Sequence, residues 1–348
     1  MCIRERGSAP NNSWKEIGRF TVSGSDVDSI VCRGLNSATS GTFADKDNLM
    51  ILVHIIGDDG DTNFNMRFGD TSIDSTSSNY VFRNNQDGGS DSTSGTGSTN
   101  GIQWGGYGSY TQGLYVIQVR NITGSGFHGK SAEGKYVFQY GYSAANNTGR
   151  GESVGTWKGS GQIGMVEVHN TSSGGFSAGS EIVVLGCDDD EADSGTDFWN
   201  EIVSVNASGS STDLTTGTQT FPKYMMFSVS GSGGSGDHRF RFNEDATGGN
   251  YTRTFSRNGE SEDNDSVGSA HIGNMMKIGS AGSYAHGFIV NVSGEEKLIM
   301  GTIVDNAPAG REWACKWVNT SSLITRMDLI STSGNHNSDT NIRIWGSN

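Results

Sequence analysis

Short runs in which apolar and polar residues alternate recur along the whole chain. In FNMRF, Phe64, Met66 and Phe68 fall on one face of an extended segment, and Asn65 and Arg67 fall on the other. The runs YMMFSV, RFRF, KYVFQY, GFIVNVS and NIRIWG repeat this pattern, with Gly, Asn and Asp between them. A period of two that is interrupted by turn residues predicts β-strands. No segment shows a convincing helix of three turns.

One run is apolar at nearly every position. The stretch NLMILVHIIG, residues 48–57, has Leu, Met, Ile and Val on both faces of an extended chain. This pattern is typical of a strand that lies between two layers.

The two halves of the chain carry the same phrases in the same order. SWKEIGRFTVSGS near the start is echoed by FWNEIVSVNASGS, and MRFGD…NY is echoed by FRFNED…NY. Trp157 and Trp317 are 160 positions apart, and so are Ile163 and Leu323, which predicts that each pair is equivalent. Because the order is kept and only the spacing drifts, we predict a tandem domain duplication with loops of different length.

The repeats define the predicted organisation. We expect an N-terminal arm at 1–13, a first β-sandwich repeat at 14–187, an acidic linker at 188–197 and a second β-sandwich repeat at 198–348. Many strands with few helices and long polar loops favour an all-β fold of two tandem, jelly-roll-like sandwiches. A simple immunoglobulin sandwich would be shorter and would show Cys…Trp…Cys spacing, which is absent.

Composition and charge narrow the possible partners. Gly accounts for 52 of 348 residues and Pro for 3, which suits a β protein with many turns. The net charge of −14 disfavours binding to nucleic acid and to anionic membrane surfaces. The four cysteines form no C-x-x-C pair, so we expect free thiols and no disulfide framework. They are Cys2, Cys32, Cys187 and Cys315.

The N-terminal sequence MCIRERGSAPNNSW has no apolar core, and no run approaches membrane-spanning length. We therefore expect a protein that is made in a cytosol without a standard export signal.

The phrase FRFNEDATGGNY, residues 240–251, could be scaffold or site. Asn243 and Asp245 can make Asx turns, and Tyr251 then opens the next strand with a buried ring and a hydroxyl that can find a partner. The alternative is that Asp70 with Asp74, or Asn243 with Asp245, binds calcium or a sugar. We favour scaffold, because the phrase survives in both repeats while the loop within it changes length.

Two clusters of aspartates supply the hard oxygen ligands that calcium prefers. They are Asp58, Asp59 and Asp61, and Asp188, Asp189 and Asp190. Neither has EF-hand spacing, and solvated acidic loops explain both equally, so we expect no cofactor and keep calcium as the open alternative.

A Gly-separated aromatic stretch, WGGYGSY at 104–110, has no counterpart in the second repeat. Trp104, Tyr107 and Tyr110 either pack under the loop or against another subunit, or they stack on a glycan.

No sequence motif supports catalysis. The seven histidines do not occur in H-E-x-x-H or beside a G-x-S-x-G turn, and GSGGSG at 231–236 is not a phosphate-binding loop. The acidic runs GDDGDT and GESEDNDS could hold paired carboxylates but read as hydrophilic loops. We therefore expect a protein that is not an enzyme.

The phrases together resemble a domain of structural proteins of tailed bacteriophages, especially marine and cyanobacterial ones. The second repeat carries WNEI, FRFNED, NY, LITRMDL and NIRIWG, and the first carries WKEI, MRFGD, NY, IGMVEV and AGSEIVVLG, so the resemblance covers nearly the whole chain. The chain departs from the pattern at Gly69, where Asn is preferred, and at Asp339–Thr340, where the first repeat has Gly179–Ser180.

This resemblance implies a virion protein on the particle exterior, as a capsid decoration or a tail or fibre component. Its partners would be other virion proteins and copies of itself, and it would be made in the host cytoplasm. The alternative is a carbohydrate-binding, lectin-like module for host recognition, and a polysaccharide depolymerase is a lesser alternative.

Overall fold

The computed structural model describes residues 14–34, 41–57, 64–95, 97, 99–105, 111–122, 129–139, 148–172, 174–188, 197–231, 237–257, 263–269, 272–277, 282–305 and 309–347. Within these ranges the regular structure is β, apart from one 3-10 turn at Ser77–Asn79. The prediction of an all-β fold is therefore confirmed.

Repeat one consists of twelve described strands. They are β1 (Lys15–Thr21), β2 (Ser29–Cys32), β3 (Asn48–Ile56), β4 (Phe64–Gly69), β5 (Tyr80–Gln86), β6 (Ser92–Ser94), β7 (Ile102–Trp104), β8 (Gln112–Arg120), β9 (Lys130–Gln139), β10 (Thr148–Trp157), β11 (Met165–Asn170) and β12 (Glu181–Cys187). The large sheet has the order β1-β12-β3-β8-β9-β10-β5-β6, and the small sheet has the order β2-β11-β4-β7.

Repeat two also consists of twelve described strands. They are β13 (Trp199–Asn206), β14 (Asp213–Thr215), β15 (Tyr224–Gly231), β16 (Asp237–Phe242), β17 (Tyr251–Arg257), β18 (Asp263–Ser269), β19 (Ile272–Lys277), β20 (Ser283–Val290), β21 (Lys297–Asp305), β22 (Ala309–Trp317), β23 (Met327–Ser331) and β24 (Asn341–Ser347). Its sheets have the orders β13-β24-β15-β20-β21-β22-β17-β18 and β14-β23-β16-β19.

The two strand orders are the same when twelve is added to each label of repeat one. The first strand of each repeat pairs with the last in the large sheet, and the second pairs with the next-to-last in the small sheet. This inward alternation between two sheets is the winding of a jelly roll. The prediction of two tandem jelly-roll sandwiches is confirmed.

The core of each repeat lies between its two sheets. In β4, Phe64, Met66 and Phe68 are fully buried in the core of repeat one, as the alternation predicts. The opposite face is also covered, because the Arg67 guanidinium lies 3.1 Å from the Glu167 carboxylate on β11. The sequence pattern did not reveal this second layer of polar contacts.

Strand β3 lies between β12 and β8 in the large sheet, and both of its faces are buried. Ile51 and Val53 belong to the core of repeat one, while Leu52 and His54 on the other face are also inaccessible to solvent. The prediction of a strand that is buried on both sides is confirmed.

The chain divides into two compact units, each with its own apolar core. The first unit comprises Met1–Gly141 and Gly151–Phe198, and the second comprises Tyr142–Arg150 and Trp199–Asn348.

Candidate functional site

The repeated phrase ends on a buried tyrosine hydroxyl. In repeat two, the Tyr251 hydroxyl accepts a hydrogen bond from the Phe242 N–H at 3.0 Å and donates to the Asp245 carbonyl oxygen at 3.1 Å. The Asp245 carboxylate accepts from the Thr247 N–H at 2.9 Å and from the Asn250 amide at 2.7 Å. Tyr251 is 1% exposed. The prediction of a buried ring with a bonded hydroxyl is confirmed.

Repeat one makes the same contacts. The Tyr80 hydroxyl accepts from the Phe68 N–H at 3.0 Å and donates to the Asp74 carbonyl oxygen at 2.7 Å. The Asp74 carboxylate accepts from the Thr76 N–H at 2.8 Å and from the Asn79 amide at 2.7 Å. The two phrases therefore build one local structure twice.

The aspartate that corresponds to Asp245 is Asp74 and not Asp70. Both networks share the spacing D-x-T-x-x-N-Y, whereas the segment from Phe68 to Asp74 is three residues longer than the segment from Phe242 to Asp245. The loop therefore absorbs the difference in length before the aspartate, and the Asx turn that follows is unchanged.

A tryptophan from the large sheet completes each network. The Trp317 indole N–H donates to Asp245 Oδ2 at 2.8 Å, and the Trp157 indole N–H donates to Asp74 Oδ2 at 2.9 Å. The predicted equivalence of Trp157 and Trp317 is confirmed by these shared contacts. Each aspartate thereby ties a loop beside the small sheet to the end of a strand in the large sheet.

A lysine lies over each tryptophan ring. The Lys297 ammonium is 5.9 Å from the centroid of Trp317, and the Lys130 ammonium is 5.7 Å from the centroid of Trp157. Both ammonium groups also donate to backbone carbonyls. Burial lowers the pKa of Lys297 to about 8 and also lowers the pKa of Lys130. The lysines therefore serve as internal donors and cation–π partners.

The two aspartates are stabilised in their ionised form. Burial raises the pKa of Asp74 and Asp245, but the hydrogen bonds from the indole, the asparagine amide and the threonine outweigh it and hold each pKa below its ordinary value. Three residues donate hydrogen bonds to each carboxylate. The arrangement is therefore an internal contact that fastens the loop to the large sheet.

A second duplicated contact corrects the sequence alignment. The Asn291 side chain accepts from the Ile324 N–H at 2.8 Å, and the Asn121 side chain accepts from the Ile163 N–H at 2.7 Å. Ile163 therefore corresponds to Ile324, and its predicted equivalence to Leu323 is wrong by one position. The turn after the tryptophan is one residue longer in repeat two, and this places Leu323 at the surface with 40% exposure.

Asn243, the other residue weighed as a ligand, also bonds internally. Its side-chain oxygen accepts from the N–H groups of Thr325 and Arg326 at 2.8 and 3.0 Å, and its amide donates to the Leu323 carbonyl at 2.8 Å. The side chain holds the loop before β23 against the end of β16. This contact is structural.

Of the six aspartates in the two clusters considered for calcium, Asp188 is the one that the structure describes. Its carboxylate lies 2.9 Å from the Lys46 ammonium and accepts from the Asp47 N–H at 2.9 Å. Outside the described residues lie Asp58, Asp59, Asp61, Asp189 and Asp190. Among the described residues, no group of three or more His, Cys, Asp or Glu side chains is placed to hold a metal ion.

Trp104 ends strand β7, where it pairs with Phe64 on β4. It is fully buried in the core of repeat one, so its ring packs inside the sandwich and offers no surface to a sugar. Tyr107 and Tyr110 lie outside the described residues.

A buried ion pair in repeat two was not predicted. The Lys316 ammonium lies 2.9 Å from the Glu296 carboxylate, and the two side chains are 0% and 5% exposed. Burial raises the pKa of Glu296, and the charge of Lys316 opposes that rise. Glu296 lies in the sequence GEEKL, and adjacent charged residues of this kind normally indicate a solvated turn. The sequence therefore gave no indication that Glu296 is buried against Lys316.

Comparison with known proteins assigns no family to this architecture. No protein-family model matches the chain, and a search of curated proteins finds no significant match. No helix in the described part of the chain is long and apolar enough to cross a membrane.

Proposed function

We propose that the chain is a non-enzymatic structural protein on the exterior of a tailed bacteriophage particle, as a capsid decoration or as part of the tail or fibre. The observation that carries this proposal is the duplication of an entire jelly roll, from strand order to the Asp–Trp–Tyr hydrogen bonds. The chain duplicates a scaffold together with the hydrogen bonds that hold its loops in place. Such a duplication suits an assembly component, whose role is to present folded surfaces to other subunits.

The residues that carry the resemblance to phage structural domains have structural roles in this chain. The phrases RFNED and NY supply the strand, the aspartate and the tyrosine of the repeated network. Their side chains hold loops onto sheets within each repeat. This is consistent with a domain family that is defined by its scaffold, and jelly rolls recur in viral capsid proteins and in lectins.

The partners that we propose are other virion proteins and further copies of the chain. Among the described strands, each small sheet has two edge strands: β2 and β7 in repeat one, and β14 and β19 in repeat two. Edge strands present unpaired backbone groups that proteins commonly cover with a partner. The net charge of −14 opposes association with nucleic acid.

Mass spectrometry and electron cryomicroscopy of purified particles test the proposal. We expect the chain in particles that are banded by density, with density for two linked jelly rolls on the outer surface. Many copies per particle would indicate a capsid decoration, and few copies would indicate a tail or fibre part. Particles grown from a genome with an early stop codon in this gene are the control, and they should lack that density.

The chain's absence from purified particles would overturn the proposal. Two further assays on the recombinant chain distinguish the alternatives. Binding to a glycan array would favour the lectin-like function, and release of reducing ends from host envelope polysaccharide would favour a depolymerase. We expect neither signal.

A further inference from the structure

Two histidines face each other inside repeat two. His238 lies on β16, and His336 lies in the segment that precedes β24. Both residues are fully buried, and their ring centroids are 4.8 Å apart with an interplanar angle of 38°. Neither ring belongs to the repeated hydrogen-bond networks.

Repeat one has a phenylalanine at the position of His238. Phe64 pairs with Asn170 at the end of β11, and His238 pairs with Ser331 at the end of β23, the matching strand. Both residues lie four positions before the last phenylalanine of a strand whose following loop carries the repeated phrase. His238 therefore occupies the place of Phe64.

Repeat one also has a phenylalanine at the position of His336. Phe176 lies four residues before Ser180, and His336 lies four residues before Thr340, in turns with the same backbone hydrogen bond. The rings of Phe64 and Phe176 form an edge-on pair with centroids 6.4 Å apart. An aromatic pair therefore fills this part of both sandwiches, and in repeat two it is ionisable.

The surroundings of His238 favour its neutral form. Neither of its ring nitrogens has a hydrogen-bond partner among the described residues. Its register partners on the neighbouring strands are Ser331 on β23 and Met276 on β19, which carry no charge. Arg239 follows it on β16, where the alternation of the strand places it on the opposite face. No described carboxylate is therefore positioned to compensate a charge on His238.

His336 has modest support for a charge. Its Nε2 lies 2.9 Å from the Leu329 carbonyl oxygen, to which it donates. The Thr212 carbonyl and the carboxylate of Asp213 on β14 also favour the protonated ring, although burial outweighs them. A proton on either histidine would face the other ring, because the two are in contact.

We propose that His238 and His336 form an acid-sensitive lock: while neutral they pack the sandwich of repeat two, and when protonated they loosen its small sheet, whereas the phenylalanine pair keeps repeat one closed. The proposal concerns repeat two itself and does not depend on the location of the protein in a particle.

The direction of the effect follows from linkage. Burial, together with the charge of His336, lowers the pKa of His238 from 6.5 to about 4. The unfolded chain therefore takes up a proton near pH 6.5, while the folded chain takes it up only near pH 4, so stability is complete above pH 6.5 and declines as the pH falls toward 4. For His238 alone, the folding equilibrium constant at pH 5 is lowered on the order of 30-fold.

Hydrogen exchange of the full chain between pH 7.5 and 5, corrected for intrinsic exchange rates, tests this inference. We expect the protection of β16 and β23 to fall on acidification on the order of 30-fold more than it would without the two histidines. It should also fall more than the protection of β4 and β11, although burial lowers the pKa of His169 on β11 as well. The double variant H238F/H336F should remove this difference. The reciprocal variant F64H/F176H should transfer the acid sensitivity to repeat one.

Equal acid sensitivity of wild-type and H238F/H336F protein would overturn the proposal. Because a double variant can fail to fold, a second measurement uses the wild-type chain alone. An NMR titration of the assigned histidine ring protons should show His238 staying neutral well below pH 6 and His336 titrating below its ordinary value. If the rings of His238 and His336 titrated near pH 6.5, the lock would not exist.

Discussion

Tyr80 and Tyr251 show how one buried hydroxyl holds a loop to a strand. Each accepts from the N–H of the last phenylalanine of a strand and donates to the carbonyl of the network aspartate. Because these backbone groups are buried, an unpaired N–H would carry its full desolvation cost. The repeated phrase could be read from the sequence as a ligand motif. In the structure its tyrosine instead makes hydrogen bonds to backbone groups of the scaffold.

The tyrosine substitutions Y80F and Y251F test this contribution. We expect each to lower the free energy of unfolding of its own repeat by about 1–3 kcal/mol, because the ring stays but the phenylalanine N–H loses its acceptor. Chemical denaturation followed by hydrogen exchange in each repeat measures the effect. Y284F is the control, since Tyr284 is 40% exposed and should change stability by less than about 0.5 kcal/mol. Equal effects of Y251F and Y284F would contradict this account.

At the scale of single elements, the central hairpin of each large sheet depends on a glycine. Gly134 on β9 lies opposite Ile117, and Gly301 on β21 lies opposite Gly287. A Cβ atom at Gly134 would lie 2.4 Å from the Val116 carbonyl oxygen, and one at Gly301 would lie 2.7 Å from the His286 carbonyl oxygen. The backbones approach too closely for any side chain at these positions.

The substitutions G134A and G301A should each destabilise their repeat by about 1–3 kcal/mol, because the neighbouring strand must shift to admit a methyl group. The free energy of unfolding in urea measures this. G310A is the matched control, since Gly310 also lies in a strand of repeat two but has no atom within 4 Å of the added carbon. If G301A left the free energy of unfolding unchanged, the strands would separate more easily than the contacts indicate.

At the scale of the whole molecule, the chain is two jelly rolls of identical strand order, each closed by an apolar core. The described cysteines are free thiols, namely Cys32, Cys187 and Cys315. Stability therefore comes from packing between sheets together with the buried hydrogen-bond networks. A chain of this length can bury enough apolar surface for that purpose.

We expect the melting temperature of the chain to be the same in EDTA, in calcium and in a reducing agent. Each core is assembled from side chains of two sheets, and neither core includes a metal ligand cluster among the described residues. Calorimetry under the three conditions measures this. A melting temperature that rose steadily with calcium concentration would reveal linked binding and would support the aspartate clusters as calcium ligands.

Much of the fold could be read from the sequence because the strand signal is local. Alternation along FNMRF fixes which side chains face the core, and the run at 48–57 fixes a strand that is buried on both sides. Repetition of these signals in one order also predicted the duplication. Jelly-roll winding followed, as the way in which many short strands with long loops close two sheets.

Tertiary structure alone decided which residues meet. It matched Asp74 with Asp245 and Ile163 with Ile324, because loops of unequal length shift the spacing without altering the contacts. It placed Trp104 in the core, since a Gly-rich neighbourhood does not reveal which way a ring points.

It also brought His238 and His336 together across 98 positions of sequence. Pairing of distant side chains is a property of the closed sandwich, whereas the alternation that builds its strands belongs to the sequence itself.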